Sequence, residues 1–141
     1  MNIFYLDKSP SKAAKYHCDK HVCKMIVETA QILSTVLRAK NESLKLFFNG
    51  GEDMCYGDKT VNDLYKPTHT SHTVVKWAAR SSQNFEWLLE LGICLCNEYH
   101  SRYGKFHKTF SILSLIYRLY YKYNDQLGHL ALYREGDSTL S

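Results

Sequence analysis

The chain has 141 residues, of which 45% are hydrophobic and 23% charged, and its formal net charge is +4. This length and composition are typical of one globular domain, here residues 1–141, with its own hydrophobic core. No run of about 18 apolar residues occurs, and no basic start leads into an apolar segment. We therefore expect a cytoplasmic protein without a membrane span. The mildly basic charge permits nucleic-acid binding without demanding it.

The five cysteines form no C-x-x-C pair. Three of them fall on predicted apolar helix faces. We expect reduced, mostly buried residues that act as small hydrophobes, and neither disulfides nor metal ligands. The cysteines are Cys18, Cys23, Cys55, Cys94 and Cys96.

The first predicted element after an N-terminal arm (residues 1–8, strand or extended chain) is a long helix. Ser9 before Pro10 marks its start, because proline fits a first helical position that needs no N–H partner. The helix is predicted to run to about Lys40, and a break near Cys18–Asp19 is left open. Its apolar positions have the spacing of one buried face. They are Val22, Met25, Ile26, Ile32, Leu33 and Val36.

The next segment, residues 41–67, lacks sustained periodicity and contains NGGED and YGDK. We expect a long loop there, and long loops in compact domains tend to be functional or mobile. A second helix is predicted to open near Thr70 or Ser71 and to end within RSSQN.

Two further helices complete the predicted fold. Ser82 should cap the third helix, and Gly104 should end it. The fourth is amphipathic and covers residues 106–123, before a polar tail (124–141) whose LALY segment could dock. The sequence therefore predicts an all-α fold, a compact bundle of about four helices.

An ordered polar row lies on the first predicted helix. At about 100° per residue its members fall in an arc of roughly 60°, and the apolar face is centred roughly 130° away. Half-burial is expected there, where pKa values shift most. A carboxylate flanked by lysine, glutamine and two imidazoles has the groups of general acid–base catalysis. The alternative is an ordinary helix ion pair of Lys24 with Glu28. The row comprises His17, His21, Lys24, Glu28 and Gln31.

A second polar cluster precedes the second predicted helix, in KPTHTSHTVVKW. Backbone N–H groups at a helix N-terminus favour a phosphate or carboxylate ligand, and His69 and His72 flank that point. The alternative is that one histidine caps the helix and the other faces solvent.

The two clusters together allow a metal site as a rival interpretation. His17 and His21 (i, i+4) with His69 and His72 (i, i+3) could bind one zinc ion. The chain has no H-E-x-x-H motif and no Cys–His knuckle, so the leading expectation is no cofactor.

Further substrate-binding candidates follow helical spacing. Trp77 is either core or a ligand platform, as is Trp87. Arg80 and Asn84 could bind a phosphate and a base edge, or could face solvent. The substrate-binding set is Gln31, His69, Trp77, Arg80, Asn84 and Arg102.

The segments DKHVCKMIVETAQIL, THTSHTVVKW and LCNEYHSRYGK resemble a widespread group of small proteins of phage genomes. More distantly they resemble the pyrimidine-dimer DNA glycosylase family of the endonuclease V type. Its members carry, in comparable order, an acidic–basic pair, a lysine, a glutamate before Gln-Ile-Leu, and a His-Pro before a tryptophan. The resemblance covers, in patches, Asp19 to Lys105.

This resemblance implies an all-α DNA repair enzyme. An N-terminal amine would attack C1′ of the damaged nucleotide to form an imine, and a helix-borne glutamate, here Glu28, would assist glycosidic cleavage and β-elimination. Lys24 and His21 would hold phosphates. His72 matches the later histidine, but Thr73 replaces the proline after it.

The start of the chain departs from the family pattern, which exposes a small second residue after methionine removal. Met1 is followed here by Asn2, a poor site for that removal. The attacking amine would then be that of Met1 or of a lysine such as Lys24, or it would be absent, and with it the lyase half of the activity.

The leading hypothesis is a DNA glycosylase/AP-lyase-like enzyme that cleaves the glycosidic bond of a damaged or modified pyrimidine nucleotide. Two alternatives stay open: a non-enzymatic protein that binds a nucleotide or nucleotide signal, and a metal-dependent hydrolase that uses the four histidines. The expected partner is DNA or a nucleotide ligand. The catalytic candidates are Glu28, Lys24, His21, His17 and His72.

Overall fold

The computed structural model describes residues 8–47 and 51–128, and within them it confirms the all-α prediction. Six α-helices accompany one very short hairpin. The elements are α1 (Pro10–Tyr16), α2 (Asp19–Phe47), β1 (Cys55–Tyr56), β2 (Lys59–Thr60), a 3-10 turn (Val61–Asp63), α3 (Thr73–Arg80), α4 (Ser82–Tyr103), α5 (Phe110–Lys122) and α6 (Asn124–Gly128). None of these helices combines the length and apolar character needed to cross a membrane.

The start of α1 and the break after it agree with the sequence pattern. Pro10 occupies the first turn, and the Ser9 side chain accepts a hydrogen bond from the Lys12 N–H at 3.4 Å. The backbone leaves the helix at His17 (φ −70°, ψ 136°), and α2 begins at Asp19. Residues 1–7 of the predicted N-terminal arm lie outside the described residues.

The predicted boundary of α2 near Lys40 is wrong, and the predicted loop over residues 41–67 is wrong for residues 41–47, which are helical. The helix continues to Phe47 because Leu44 is buried (6% exposed) and the Asn41 side chain binds outside the helix. Its Oδ1 accepts from the Met54 N–H and its Nδ2 donates to Asp53, each at 2.9 Å. These bonds hold the following segment against α2.

A hairpin occupies the middle of the predicted loop. Cys55 pairs with Thr60 and Tyr56 with Lys59, antiparallel, around a turn in which Gly57 has φ 61°. That positive φ suits glycine, which lacks a Cβ. Thr60 then caps the 3-10 turn in a reciprocal capping box with Asp63.

The later helices follow the prediction with small shifts. Ser81, one residue before the predicted cap, accepts from the Asn84 N–H at 3.1 Å and starts α4. Gly104 ends α4 in the left-handed region, as predicted. α5 begins at Phe110, later than the predicted residue 106. The residues before it form a turn in which His107 Nδ1 accepts from the Thr109 N–H. The short helix α6 lies within the predicted polar tail, and the LALY segment lies outside the described residues.

The core lies between α2 and α4, and α5 closes it. All six predicted apolar positions of α2 are at most 2% exposed. Phe85 of α4 stacks on Tyr120 of α5 with ring centroids 4.5 Å apart. The Lys40 Nζ lies 5.4 Å from the Phe85 centroid and 5.9 Å from that of Tyr120. Burial lowers the pKa of Lys40 to about 7.

The cysteine prediction is wrong in part. All five are free thiols, but only Cys96 is buried, and Cys18 and Cys23 are exposed. Cys18 lies in the α1–α2 break, and Cys23 adjoins exposed Lys24 on the outer side of α2.

Candidate active site

The polar row of α2 borders the core as its spacing predicts. The Glu28 side chain is 18% exposed and its Oε1 lies 4.0 Å from the Lys24 Nζ, whose side chain is 64% exposed. His21 and Gln31 are half-buried. A carboxylate thus lies at the edge of the core, with a primary amine and an imidazole on the same helix face within two turns.

His17 does not belong to this helix, and its predicted place in the row is wrong. It follows the C-terminus of α1 in extended conformation, because the chain breaks before Asp19. Its ring is buried, and Nδ1 donates to the Ala13 carbonyl at 2.6 Å. Burial lowers the pKa of His17, although the hydrogen bond to Ala13 acts in the opposite direction.

Arg102, a predicted substrate ligand, fixes the break that carries His17. Its Nη2 donates to the carbonyls of Lys15 and His17 at 3.3 and 2.9 Å. Its Nη1 reaches Asp19 at 2.8 Å, and its Nε reaches Glu98 at 3.0 Å. The guanidinium therefore holds α1, α2 and α4 together at this end of the molecule.

Thr35 connects the polar row to the segment before α3. Its Oγ1 accepts from the Thr68 N–H at 3.1 Å and donates to the Gln31 carbonyl at 2.9 Å. Thr35 is not among the predicted site residues, although its position four residues after Gln31 continues the row and could have indicated it.

The histidines of the second cluster adopt the alternative arrangement, in which one caps the helix and the other faces solvent. His72 caps α3, and its Nδ1 accepts from the Val74 N–H at 3.1 Å. His69 is exposed with φ 50°, and the two ring centroids are 6.4 Å apart.

The four-histidine zinc alternative is not supported by this geometry. Among residues 8–47 and 51–128, no group of three or more His, Cys, Asp or Glu side chains is arranged to hold a metal ion. His17 lies outside α2, so His17 and His21 do not share one helix face as predicted, and the Nδ1 atoms of His17 and His72 bind the backbone.

The α3–α4 candidates are largely engaged within the protein. The rings of Trp77 and Trp87 pack edge to face with centroids 6.3 Å apart, partly buried against the core. The Asn84 amide donates to the Trp77 carbonyl at 2.9 Å. Arg80 is exposed at the end of α3. The packing of both tryptophans therefore fits the alternative in which they belong to the core.

A cavity of about 310 Å³ with a mainly apolar lining lies along α2 beyond the row. Thr35 forms part of its wall, seven residues or roughly 10 Å along the helix from Glu28. The Arg38 Nη1 donates to the Val61 carbonyl at 3.1 Å and fixes one side. The wall comprises Thr35, Arg38, Ala39, Asn41, Glu42, Val61, Asn62, Pro67 and Thr70.

Fold and site together define a small all-α protein with a half-buried polar row on its central helix. The family model described as pyrimidine dimer DNA glycosylase matches residues 1–112. The chain belongs to that family, and the match spans α1 to α4 and the start of α5. Comparisons with curated proteins and with solved structures gave no match.

Proposed function

We propose that the protein is a DNA glycosylase that cleaves the glycosidic bond of a damaged pyrimidine nucleotide, with Glu28 as its central acid–base group. The observation that carries the proposal is the position of Glu28, 18% exposed and 4.0 Å from an amine, in a chain that the family model matches over residues 1–112. A carboxylate at the rim of a core is partly desolvated and fixed in direction, which suits proton transfer.

The proposed reaction couples bond breaking to imine formation. An amine nitrogen forms a bond to C1′ while the bond from C1′ to the pyrimidine breaks, and the base leaves with a proton. The Glu28 carboxylate stabilises the positive charge that develops on the sugar. The C1′–O4′ bond of the amine adduct then breaks, O4′ takes up a proton, and the opened sugar carries the imine at C1′. Glu28 then removes a C2′ proton, so that the 3′ phosphate leaves.

Two amines could supply the nucleophile, the α-amine of Met1 and the side chain of Lys24. Lys24 is the candidate within the described residues, because its Nζ lies 4.0 Å from Glu28. Its Arg variant keeps the positive charge but removes the nucleophilic amine. Loss of borohydride-trapped adduct in Lys24→Arg would assign the amine to Lys24, whereas an unchanged adduct would assign it to Met1.

The roles proposed for the surrounding groups are electrostatic. His21 lies seven residues before Glu28 on the same helix face, and the α3 N-terminus at His72 offers backbone N–H groups. We assign both to the phosphates that flank the damaged nucleotide. Gln31 and Arg80 are proposed as further DNA contacts.

The experiment is strand cleavage of a duplex that carries one cyclobutane thymine dimer. Wild type should nick the strand at the dimer and Glu28→Gln should not, while Glu90→Gln, an exposed carboxylate of α4, should act as wild type. Equal cleavage by wild type and Glu28→Gln would refute the role of Glu28.

A second candidate function is retention of a nucleotide without turnover. The cavity of about 310 Å³ that continues the polar row favours it. Stoichiometric nucleotide binding by wild type, with no cleavage of dimer-containing DNA, would replace the glycosylase proposal with this one.

A further inference from the structure

A continuous groove lies between α4 and α5 on the surface of the bundle. Two adjacent cavities form it, of about 380 and 340 Å³, and Ile93 of α4 and Tyr117 of α5 line both of them. Tyr117 therefore stands where the two cavities join. We refer to the groove with its margins as the α4–α5 face, which comprises Glu90, Ile93, Phe110, Tyr117, Arg118 and Tyr121.

Two tyrosines project from the α4–α5 face. Tyr117 and Tyr121 are one turn apart in α5, with ring centroids 4.7 Å apart, and they remain 48% and 46% exposed. The helix beneath them is fixed, because the neighbouring Tyr120 is buried and stacks on Phe85. Exposed rings grouped on a rigid element are typical of a protein–protein interface.

The two margins of the face carry opposite charges. On the α4 margin Glu90 is exposed, and Glu86 accepts from the Tyr120 hydroxyl at 2.9 Å. On the α5 margin Arg118 lies beside the hairpin, where its Nη1 donates to the Tyr56 hydroxyl at 3.0 Å. Neither Glu90 nor Arg118 forms an ion pair within the part of the chain that the structure describes. Their charges are therefore available to a partner.

The α4 margin is negative and partly desolvated. Burial raises the pKa of the Tyr121 hydroxyl, and the charges of Glu86 and Glu90 act in the same direction. Burial also raises the pKa of the Cys94 thiol, again with a contribution from Glu90. A positively charged group of a partner would be attracted to this margin.

The arrangement of the face is self-complementary. A two-fold rotation about an axis through Tyr117 exchanges the two margins, so that Arg118 of one copy lies opposite Glu90 of the partner subunit, twice in each dimer. The projecting rings and the cavities belong to the same face, so the tyrosines of one copy can enter the cavities of the other. A second copy is favoured over a partner of one charge, because the face carries both signs.

The size of the face fits a dimer interface. The accessible surface of the chain is 7870 Å². A stable interface takes roughly 800 Å² from each partner, about a tenth of the surface of a small protein. α5 has 13 residues. It is therefore roughly 20 Å long, and packed helices lie about 8–10 Å apart, so α4 and α5 together offer a surface of this order.

We propose that the protein forms a homodimer through the α4–α5 face, in which Arg118 of each copy binds Glu90 of the partner subunit and the tyrosines fill the facing cavities. The face includes no residue of the polar row. Tyr117, Arg118 and Tyr121 also lie beyond residue 112, where the family match ends. The inference is therefore independent of the proposed reaction, and each can fail without the other.

The test is the oligomeric state of the full chain, measured by sedimentation equilibrium over about a hundredfold range of concentration. The variants are Tyr117→Ala, Arg118→Glu and Glu90→Arg, and the last two are also mixed in equal amounts. Lys12→Glu, at an exposed position of α1, is the control, because it changes the net charge as much as Arg118→Glu does. Far-UV circular dichroism checks that each variant keeps its helices.

Wild type should sediment as a dimer at high concentration and dissociate on dilution. Tyr117→Ala should raise the Kd of the dimer about tenfold for each copy, or about a hundredfold in total, as for an interface hot spot. Either charge reversal alone should give a monomer, because like charges then face each other twice. The mixture should give a dimer again, because each pair then joins an acidic and a basic side chain. Lys12→Glu should match wild type.

A wild type that is monomeric at every concentration would overturn the inference. A dimer that none of the three variants weakens would also contradict it, since that dimer would use another face. Failure of the mixture to restore the dimer would refute the pairing of Arg118 with Glu90. A full chain that stays monomeric while a variant ending at Gly128 dimerises would assign the face to residues 129–141 of the same chain, against the inference.

Discussion

Arg102 Nη1 donates to the Asp19 Oδ1 at 2.8 Å, and this bond joins the end of α4 to the first residue of α2 across 83 positions of sequence. The same guanidinium binds the carbonyls of Lys15 and His17 on either side of the helix break. One side chain thus fixes the direction in which α2, and the polar row on it, leaves the break.

Replacement of Arg102 by lysine should destabilise the protein although the charge is kept. A lysine ammonium cannot reach the two carboxylates and two carbonyls that the planar guanidinium binds together. We expect the free energy of unfolding to fall by about 1.5–3 kcal/mol, the scale of hydrogen bonds to charged groups. Urea denaturation measures it, with Arg80→Lys on the exposed end of α3 as control. Equal midpoints for Arg102→Lys and Arg80→Lys would contradict the bridging role.

Burial of Lys40 should make the free energy of unfolding depend on pH between about 7 and 10.5. Its folded-state pKa is lowered from 10.5 to about 7 by burial, so between these values the unfolded chain binds a proton that the folded protein lacks. The free energy of unfolding should therefore rise with pH across this window, by at most about 1.4 kcal/mol per pH unit. Lys40→Met should be more stable than wild type near pH 7 and should show a flatter pH profile. Parallel profiles of the two proteins would refute this origin.

His17 should also make the free energy of unfolding rise with pH, in the range below pH 6.5. Burial lowers its pKa below 6.5, so as pH falls through 6.5 the unfolded chain takes up a proton before the folded protein does. Stability is therefore lost as pH falls below 6.5, and His17→Gln should reduce that loss. Thermal melts from pH 7 to 5 would measure it. His107, whose pKa is also lowered by burial, should leave a residual slope in the variant. An undiminished slope in His17→Gln would contradict the assignment.

The helical framework could be predicted because its signals are local. Ser9 with Pro10 starts α1, Gly104 ends α4, and the apolar spacing of α2 identifies its buried face. The half-buried position of Glu28 followed from the same periodicity. These features depend on residues within one or two helical turns of each other, so they can be recognised from a short stretch of sequence.

The errors arise where distant residues decide the conformation. α2 passes Lys40 because Asn41 bonds Asp53 and Met54, contacts that helical periodicity does not reveal. The hairpin left a weak local signal, the two-residue turn Gly57–Asp58, but its strands are too short for any alternating pattern. The engagement of Arg102 depends on α1 and α2, more than 80 residues earlier in the chain.

Removal of metal should leave activity intact. The four histidines do not converge on a common point, and two of them bind backbone atoms through Nδ1. We expect the same cleavage rate on dimer-containing DNA before and after dialysis against EDTA, with metal content checked by mass spectrometry. A rate that disappears with EDTA and returns with zinc would instead support the hydrolase alternative.

The most direct test of the central claim is borohydride trapping on duplex DNA that carries a thymine dimer, with wild type, Glu28→Gln and Glu90→Gln side by side. We predict a covalent protein–DNA adduct with wild type and with Glu90→Gln, and a rate of adduct formation lower by about 100-fold or more in Glu28→Gln, the scale of general acid–base catalysis. Absence of adduct and of strand cleavage with wild type, or equal rates in all three proteins, would contradict the assignment of Glu28 as the catalytic group.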